Sequence, residues 1–295
     1  MNPYRPVAIS KNDPISYLVF LLHFVPKNAL SWLCGVAARI RWPKPIAGWI
    51  CGAFVKAFKI DMSESENSLE NFQSIEGVFT RSLKPGSRPI EASLVSPADG
   101  FLASSNKIEA DSIVQAKGIN YSASELVFGE SLAGREHDFA WQTTVYLAPH
   151  NYHRVHSCVS GKLLRSLYIP GELWPVNLPA VSYVPQLFTR NERLTFEIEA
   201  ENGGRIFLVM VGALNVGRIA SPYFDYISNN SKRQLGARPS AQSFSPAKNI
   251  AAGSELGTFM LGSTVILIFD QKAYDTYKPS EASDRSVIKM GQNLS

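Results

Sequence analysis

Cysteine is scarce: Cys34, Cys51 and Cys158 are the only three in 295 residues. Thiols so few and scattered build neither a disulfide framework nor a zinc site, so a reducing compartment is expected. Acidic residues are almost missing from the first sixty positions, where eight Lys/Arg face Asp13 alone, a net +7. The remaining 21 bases and 24 acids net −3, so the basic character of a chain with a total of only +4 sits at its N-terminus. A long hydrophobic run is absent as well. The stretch Ile15 to Val25 is closed by Pro26 after eleven residues, whereas a bilayer-crossing helix needs about 20. Neither the basic start nor the small-residue cleavage site of a signal peptide is evident. There is no internal repeat and no low-complexity tract.

What is present is the composition of an ordinary globular protein, 45% hydrophobic and 18% charged, long enough for one large domain or a domain with an appendage. Ala29 to Ile40 and Ile46 to Phe58 carry apolar residues at spacings of three and four, which predicts two amphipathic helices. Trp32, Trp42 and Trp49 stand among basic residues there, a composition suited to the headgroup layer of an anionic membrane. A helical cap packed on a core would show the same stripe. Residues 61–75 are polar and read as a linker or a helix start. Short apolar stretches then alternate with Gly and Pro: Val78–Arg81, Gly100–Ala103, Thr144–Leu147, Leu194–Ile198, Ile206–Val211 and Val265–Phe269. These predict strands. The expected fold is therefore α+β, with a mainly β core and N-terminal amphipathic helices. The expected division is a membrane-associating segment, 1–60, and a catalytic β-rich domain, 61–295. Residues 225–248 are polar and turn-rich and read as a loop.

Three places gather chemistry. Gly262-Ser263-Thr264 leads into the apolar run Val265–Phe269, which is rich in β-branched residues and reads as a strand buried on both faces. A glycine carbonyl is easily approached, which suits attack by the hydroxyl of the next residue; a plain glycine bulge is the alternative. His150, His153 and His156 place three of five histidines within seven residues. His153 and His156 could ligate a metal, but no further Cys/His pair completes a site, so no metal is expected and general acid–base work is preferred. Asp99 stands in Ser96-Pro97-Ala98-Asp99-Gly100, either a hairpin turn or the carboxylate of an Asp99–His156–Ser263 relay. The Gly-x-Ser-x-Gly elbow of serine hydrolases is absent around Ser263. The turn Phe188–Arg193 is a salt-bridged loop or a recognition element.

Taken in order, Phe79-Thr80-Arg81, Ser96–Gly100, Tyr152-His153-Arg154-Val155-His156, Leu187-Phe188 with Asn191-Glu192-Arg193, Val211-Gly212-Ala213 with Val216-Gly217, and Glu255-Leu256-Gly257 with Leu261-Gly262-Ser263-Thr264-Val265 resemble phosphatidylserine decarboxylase of the bacterial, self-cleaving type. The resemblance runs from about residue 15 to 270. Departures are Asn151 where Asp is common, Ala252 where Lys is frequent, and a divergent 225–248.

The resemblance implies a proenzyme. His156, oriented by Asp99, takes the proton of Ser263, whose oxygen attacks the Gly262 carbonyl. The ester so formed is eliminated, and the dehydroalanine left at position 263 becomes a pyruvoyl cofactor. Chains 1–262 (β) and 263–295 (α) result. The pyruvoyl forms a Schiff base with phosphatidylserine and accepts the electrons left by departing CO₂, giving phosphatidylethanolamine. His153 is expected to support that decarboxylation. The implied partners are phosphatidylserine in an anionic membrane and the two chains of the protein itself, as a dimer of such pairs. No nucleic acid is expected. The implied location is peripheral, on the cytoplasmic face of a bacterial inner membrane. Two alternatives are a serine hydrolase acting on a lipid ester through Asp99, His156 and Ser263, and a catalytically silent lipid-binding module.

Overall fold

In the computed structural model, which describes residues 14–116, 119–129, 138–214, 218–224, 239–260, 264–282 and 285–295, the apolar run after Ser263 is an interior strand of a large sheet. The chain opens with α1 (Pro14–Leu21), α2 (Lys27–Arg39), α3 (Lys44–Phe58) and α4 (Ile75–Phe79). Then follow β1 (Gly100–Lys107), β2 (Ser112–Ala116), β3 (Ile119–Ser122), α5 (Ala123–Phe128), β4 (Phe139–Tyr146), β5 (Arg154–His156) and β6 (Gly161–Ile169). The next elements are α6 (Leu178–Tyr183), α7 (Leu187–Arg190), β7 (Arg193–Ala200), β8 (Arg205–Val211), β9 (Ile219–Ala220) and β10 (Ser240–Ile250). The last are β11 (Glu255–Phe259), β12 (Thr264–Asp270), α8 (Gln271–Tyr277) and β13 (Val287–Ile288). Eight strands form one antiparallel sheet in the order β10-β6-β7-β8-β12-β4-β1-β13, and β5-β11-β9 form a second, smaller one. The fold is α+β and mainly β.

The period-two alternation of β12 serves two interiors. Val265, Leu267 and Phe269 enter a core shared with Val155, Leu256, Phe259 and Leu294. Ile266 and Ile268 enter another, shared with Val19 of α1 and Leu126 to Phe128 of α5. All five side chains are fully buried, each contributing about 1.5–3 kcal/mol by its removal from water. A strand covered on both faces must read as a continuous apolar run, and this one does.

The three N-terminal helices are docked rather than loose. Val19 is buried in the second core, Lys27 Nζ lies 4.0 Å over the Trp174 ring, and Asn28 donates to the Gly171 carbonyl at 3.2 Å. Cys51, Ile60 and Val78 form a small cluster between α3 and α4. The opposite side of these helices is exposed, with Leu21, Phe24, Leu30, Leu33, Val36, Ile40, Ile46 and Trp49 turned outward.

Three expectations are corrected. Val78–Arg81 is not a strand, because Ile75, Val78 and Phe79 have helical spacing and Ser74 caps them, its side chain accepting from the Gly77 N–H at 3.1 Å. Of the two readings of 61–75 the linker fails, since Ser65 is buried and bridges to Leu83, while the helix start holds at its end, where Ser74 caps α4. Within 225–248, residues 225–238 lie outside the described residues, but Ser240–Lys248 belongs to β10. As an edge strand β10 is largely exposed and needs no apolar alternation to earn its place.

Candidate active site

The smaller sheet delivers the chain to the Gly-Ser pair. Thr258 of β11 pairs with Arg154, and Gly257 pairs with Val155. The Phe259 N–H donates to the His153 carbonyl at 3.0 Å, and the Met260 N–H to the Arg218 carbonyl at 2.9 Å. Leu261, Gly262 and Ser263 lie outside the described residues, as do Val216 and Gly217. The chain is described again at Thr264, held between Tyr146 of β4 and Val211 of β8. Both flanks of the pair are thus anchored, one in each sheet. Gly257 lets the sheets meet: a Cβ there would stand 2.8 Å from Met210 Sδ.

His156 is the best-defined acid–base group. Its Nδ1 lies 2.7 Å from the Gly253 carbonyl oxygen and its Nε2 3.0 Å from the Tyr152 hydroxyl. A carbonyl can only accept, so Nδ1 carries a proton. Burial lowers the pKa of the ring and so favours its neutral form, in which Nε2 holds a lone pair. Tyr152, whose own pKa burial raises to about 12, then donates to Nε2. With the ring neutral, the bonding assigns a tautomer with Nε2 as the basic nitrogen.

Asp99 lies close to His156 without bonding to it. The backbone N–H of His156 donates to the Pro97 carbonyl at 2.8 Å, which brings the two segments together. The Asp99 carboxylate, however, accepts from Arg88 and from the Met290 N–H. Both ring nitrogens of His156 have other partners, so the expected Asp99–His156 hydrogen bond is not formed in this arrangement. Asp99-Gly100 is no hairpin either. It leads into β1, where a Cβ on Gly100 would stand 2.3 Å from the Tyr146 carbonyl oxygen.

The three histidines have separate fates. His150 is exposed. His153 is fully buried, its ring 3.8 Å from that of Phe79, and neither nitrogen makes a well-formed hydrogen bond, although the Asn151 backbone is within reach. Burial, with the Arg81 charge adding to it, pushes its pKa down to about 3. The Phe79-Thr80-Arg81 motif is explained by the same packing. Arg81 donates to the His150 carbonyl at 3.3 Å, and Arg154 donates to the Thr80 carbonyl and to Glu255. The Phe188–Arg193 turn is structural. Asn191 bridges Trp174 and Gly212, and buried Arg193 donates to the carbonyls of Glu125, Leu126, Thr189 and Asn191. The partners missed from sequence are Tyr152, Gly253, Arg88 and Met290. Tyr152 lay inside a noted motif, whereas the other three had no local signal.

A model of the family described as phosphatidylserine decarboxylase matches residues 75–295. A phosphatidylserine decarboxylase proenzyme of Myxococcus xanthus (strain DK1622) is 37% identical over 277 residues, covering 93% of this chain and 96% of its own. One from Anaeromyxobacter sp. (strain K) is 40% identical over 252 residues, 84% and 88% of the two chains. One from Methylobacillus flagellatus is 36% identical over 272 residues, 90% and 94%.

Proposed function

Because the chain belongs to the phosphatidylserine decarboxylase family, we propose that it cuts itself between Gly262 and Ser263 and then converts phosphatidylserine to phosphatidylethanolamine. The observation that carries this reading is the anchoring of both flanks of the Gly-Ser pair, with His156 on the strand paired to the upstream flank and His153 just before it. A peptide that breaks itself needs its new ends held, and β12 supports the downstream end.

In the cut, Ser263 Oγ attacks the Gly262 carbonyl carbon and the amide bond gives way to an ester. Loss of the Ser263 α-proton then releases the Gly262 carboxylate, and hydrolysis of the remaining dehydroalanine frees ammonia and leaves a ketone. Nε2 of His156 is the base. Its present donor is the Tyr152 hydroxyl, so the proton of Ser263 either displaces that contact or passes through it. Asp99 acts on the His156 ring through its charge, one of the influences on the ring's pKa.

The residues present fit a pyruvoyl group at position 263. Thr264 Oγ1, directly beside that position, is a buried hydroxyl without a hydrogen-bond partner, donor capacity that an added ketone would use. Such a group supplies an electron sink for the electrons left when CO₂ departs. His153 supports that step as a neutral imidazole, able to donate at one nitrogen and accept at the other. Residues 1–60 hold the site at the headgroup layer. No helix among the described residues is long and apolar enough to cross a membrane, and the exposed stripe on α1 to α3 suits insertion into an interface.

Intact-mass spectrometry under denaturing conditions tests the reading. The wild type should give chains 1–262 and 263–295, the smaller blocked at its N-terminus, and Ser263→Ala one uncut, inactive chain. Decarboxylation by uncut Ser263→Ala would overturn it.

A further inference from the structure

The Asp99 carboxylate is gripped from two distant parts of the chain. Arg88 donates from Nε to Oδ1 at 2.8 Å and from Nη2 to Oδ2 at 2.5 Å. The backbone N–H of Met290, 191 positions away, donates to Oδ1 at 2.9 Å. Arg88 is fixed in turn: its Nη1 donates to the Ser87 carbonyl at 2.7 Å and its Nη2 to Glu64 Oε2 at 2.8 Å. The other oxygen of Glu64 accepts from Lys289 Nζ at 3.1 Å. Lys289 and Met290 therefore close both ends of one ion-pair chain, Asp99–Arg88–Glu64.

The segment that brings them there is built for close approach. The Gly291 N–H donates to the Ser96 carbonyl at 3.0 Å, the Ser96 N–H to the Gln292 carbonyl at 2.8 Å, and the Glu91 N–H to the Gly291 carbonyl at 2.9 Å. Gly291 has φ +89°, and a Cβ there would stand 2.2 Å from the Pro89 carbonyl oxygen. Any other residue would push the segment off Asp99.

We propose that Arg88 and the segment Lys289–Gly291 are positioning elements for Asp99, so that the self-cutting site is complete only once that segment has closed on it. The proposal rests on the reading that Asp99 serves the cut at Gly262/Ser263. It carries a consequence for order. Two of the parts lie in what becomes the β chain and one in what becomes the α chain, so cutting follows folding of the region downstream of Ser263.

The test follows the uncut fraction over time on denaturing gels for wild type, Arg88→Ala, Arg88→Lys, Met290→Pro and Asp99→Asn, with a melting temperature for each. Arg88→Ala should cut at least about tenfold more slowly, as loss of charge-assisted hydrogen bonds implies. Added methylguanidine should restore part of the rate, and Arg88→Lys should fall between the two. Met290→Pro, which lacks the N–H, should also slow the cut. If Arg88→Ala yields no soluble protein, Arg88→Lys and Met290→Pro carry the same test. Wild-type rates in the Arg88 and Met290 variants while Asp99→Asn is blocked would overturn the proposal and leave the proposed function intact. So would slowing that merely tracks melting temperature and is not rescued. Normal cutting by Asp99→Asn would remove the role of Asp99, and the proposal with it.

Discussion

His153 and His156 stand three residues apart on one segment, yet burial treats them differently. His156 has a carbonyl and a phenol for its two nitrogens, whereas His153 packs against the Phe79 ring with Arg81 and the Asn151 backbone nearby. The folded protein keeps His153 neutral down to about pH 3, while the unfolded chain protonates it below about 6.5. Between those values the unfolded state binds the extra proton, so stability falls as pH falls, by about 1.4 kcal/mol per unit. At pH 5 this one ring should cost the wild type about 2 kcal/mol relative to neutral pH. Denaturant unfolding of wild type and His153→Leu at both pH values checks this: the variant should lose that much less on acidification. An equal loss in both would mean that His153 is protonated in the folded state.

Among the elements, α1 to α3 divide their residues between two neighbours. Val19, Lys27, Cys51 and their contacts face the protein, while Leu21 and Trp49, 58% and 76% exposed, face away. So much outward apolar surface on a basic segment has a cost in water that a lipid interface removes. Replacing both Leu33 and Trp49 by Glu should weaken binding to anionic vesicles by at least about tenfold, since each side chain is worth about 1.5–3 kcal/mol when buried. Self-cutting should be unchanged, because neither residue touches the site. Co-sedimentation with vesicles measures the first effect and denaturing gels the second. Undiminished sedimentation would assign the stripe to a protein partner instead.

At the scale of the whole molecule, the region after Ser263 is woven into what precedes it. Its strand β12 lies between β4 and β8, β13 pairs with β1, and residues 291–294 bond to the 91–96 segment. A cut at Gly262/Ser263 therefore breaks the chain without opening the fold. The two pieces should co-elute on size exclusion under native conditions and separate only in denaturant. Loss of the smaller piece from native, freshly cut protein would contradict this account.

The motifs that carry the family, the amphipathic helices and the doubly buried strand were legible from residue order. Each depends on neighbours within a few positions: an apolar run for β12, i+3 and i+4 spacing for α2 and α3. The same local signals misled at Val78–Arg81, where a cap at Ser74 decided for helix, and at β10, where an exposed edge needs no apolar pattern. What only the tertiary structure decided is who holds whom. The carboxylate of Asp99 took Arg88 and the Met290 N–H, and His156 took Gly253 and Tyr152. A hydrogen bond between positions 191 residues apart has no local signature, because it is set by which segments the sheets bring face to face.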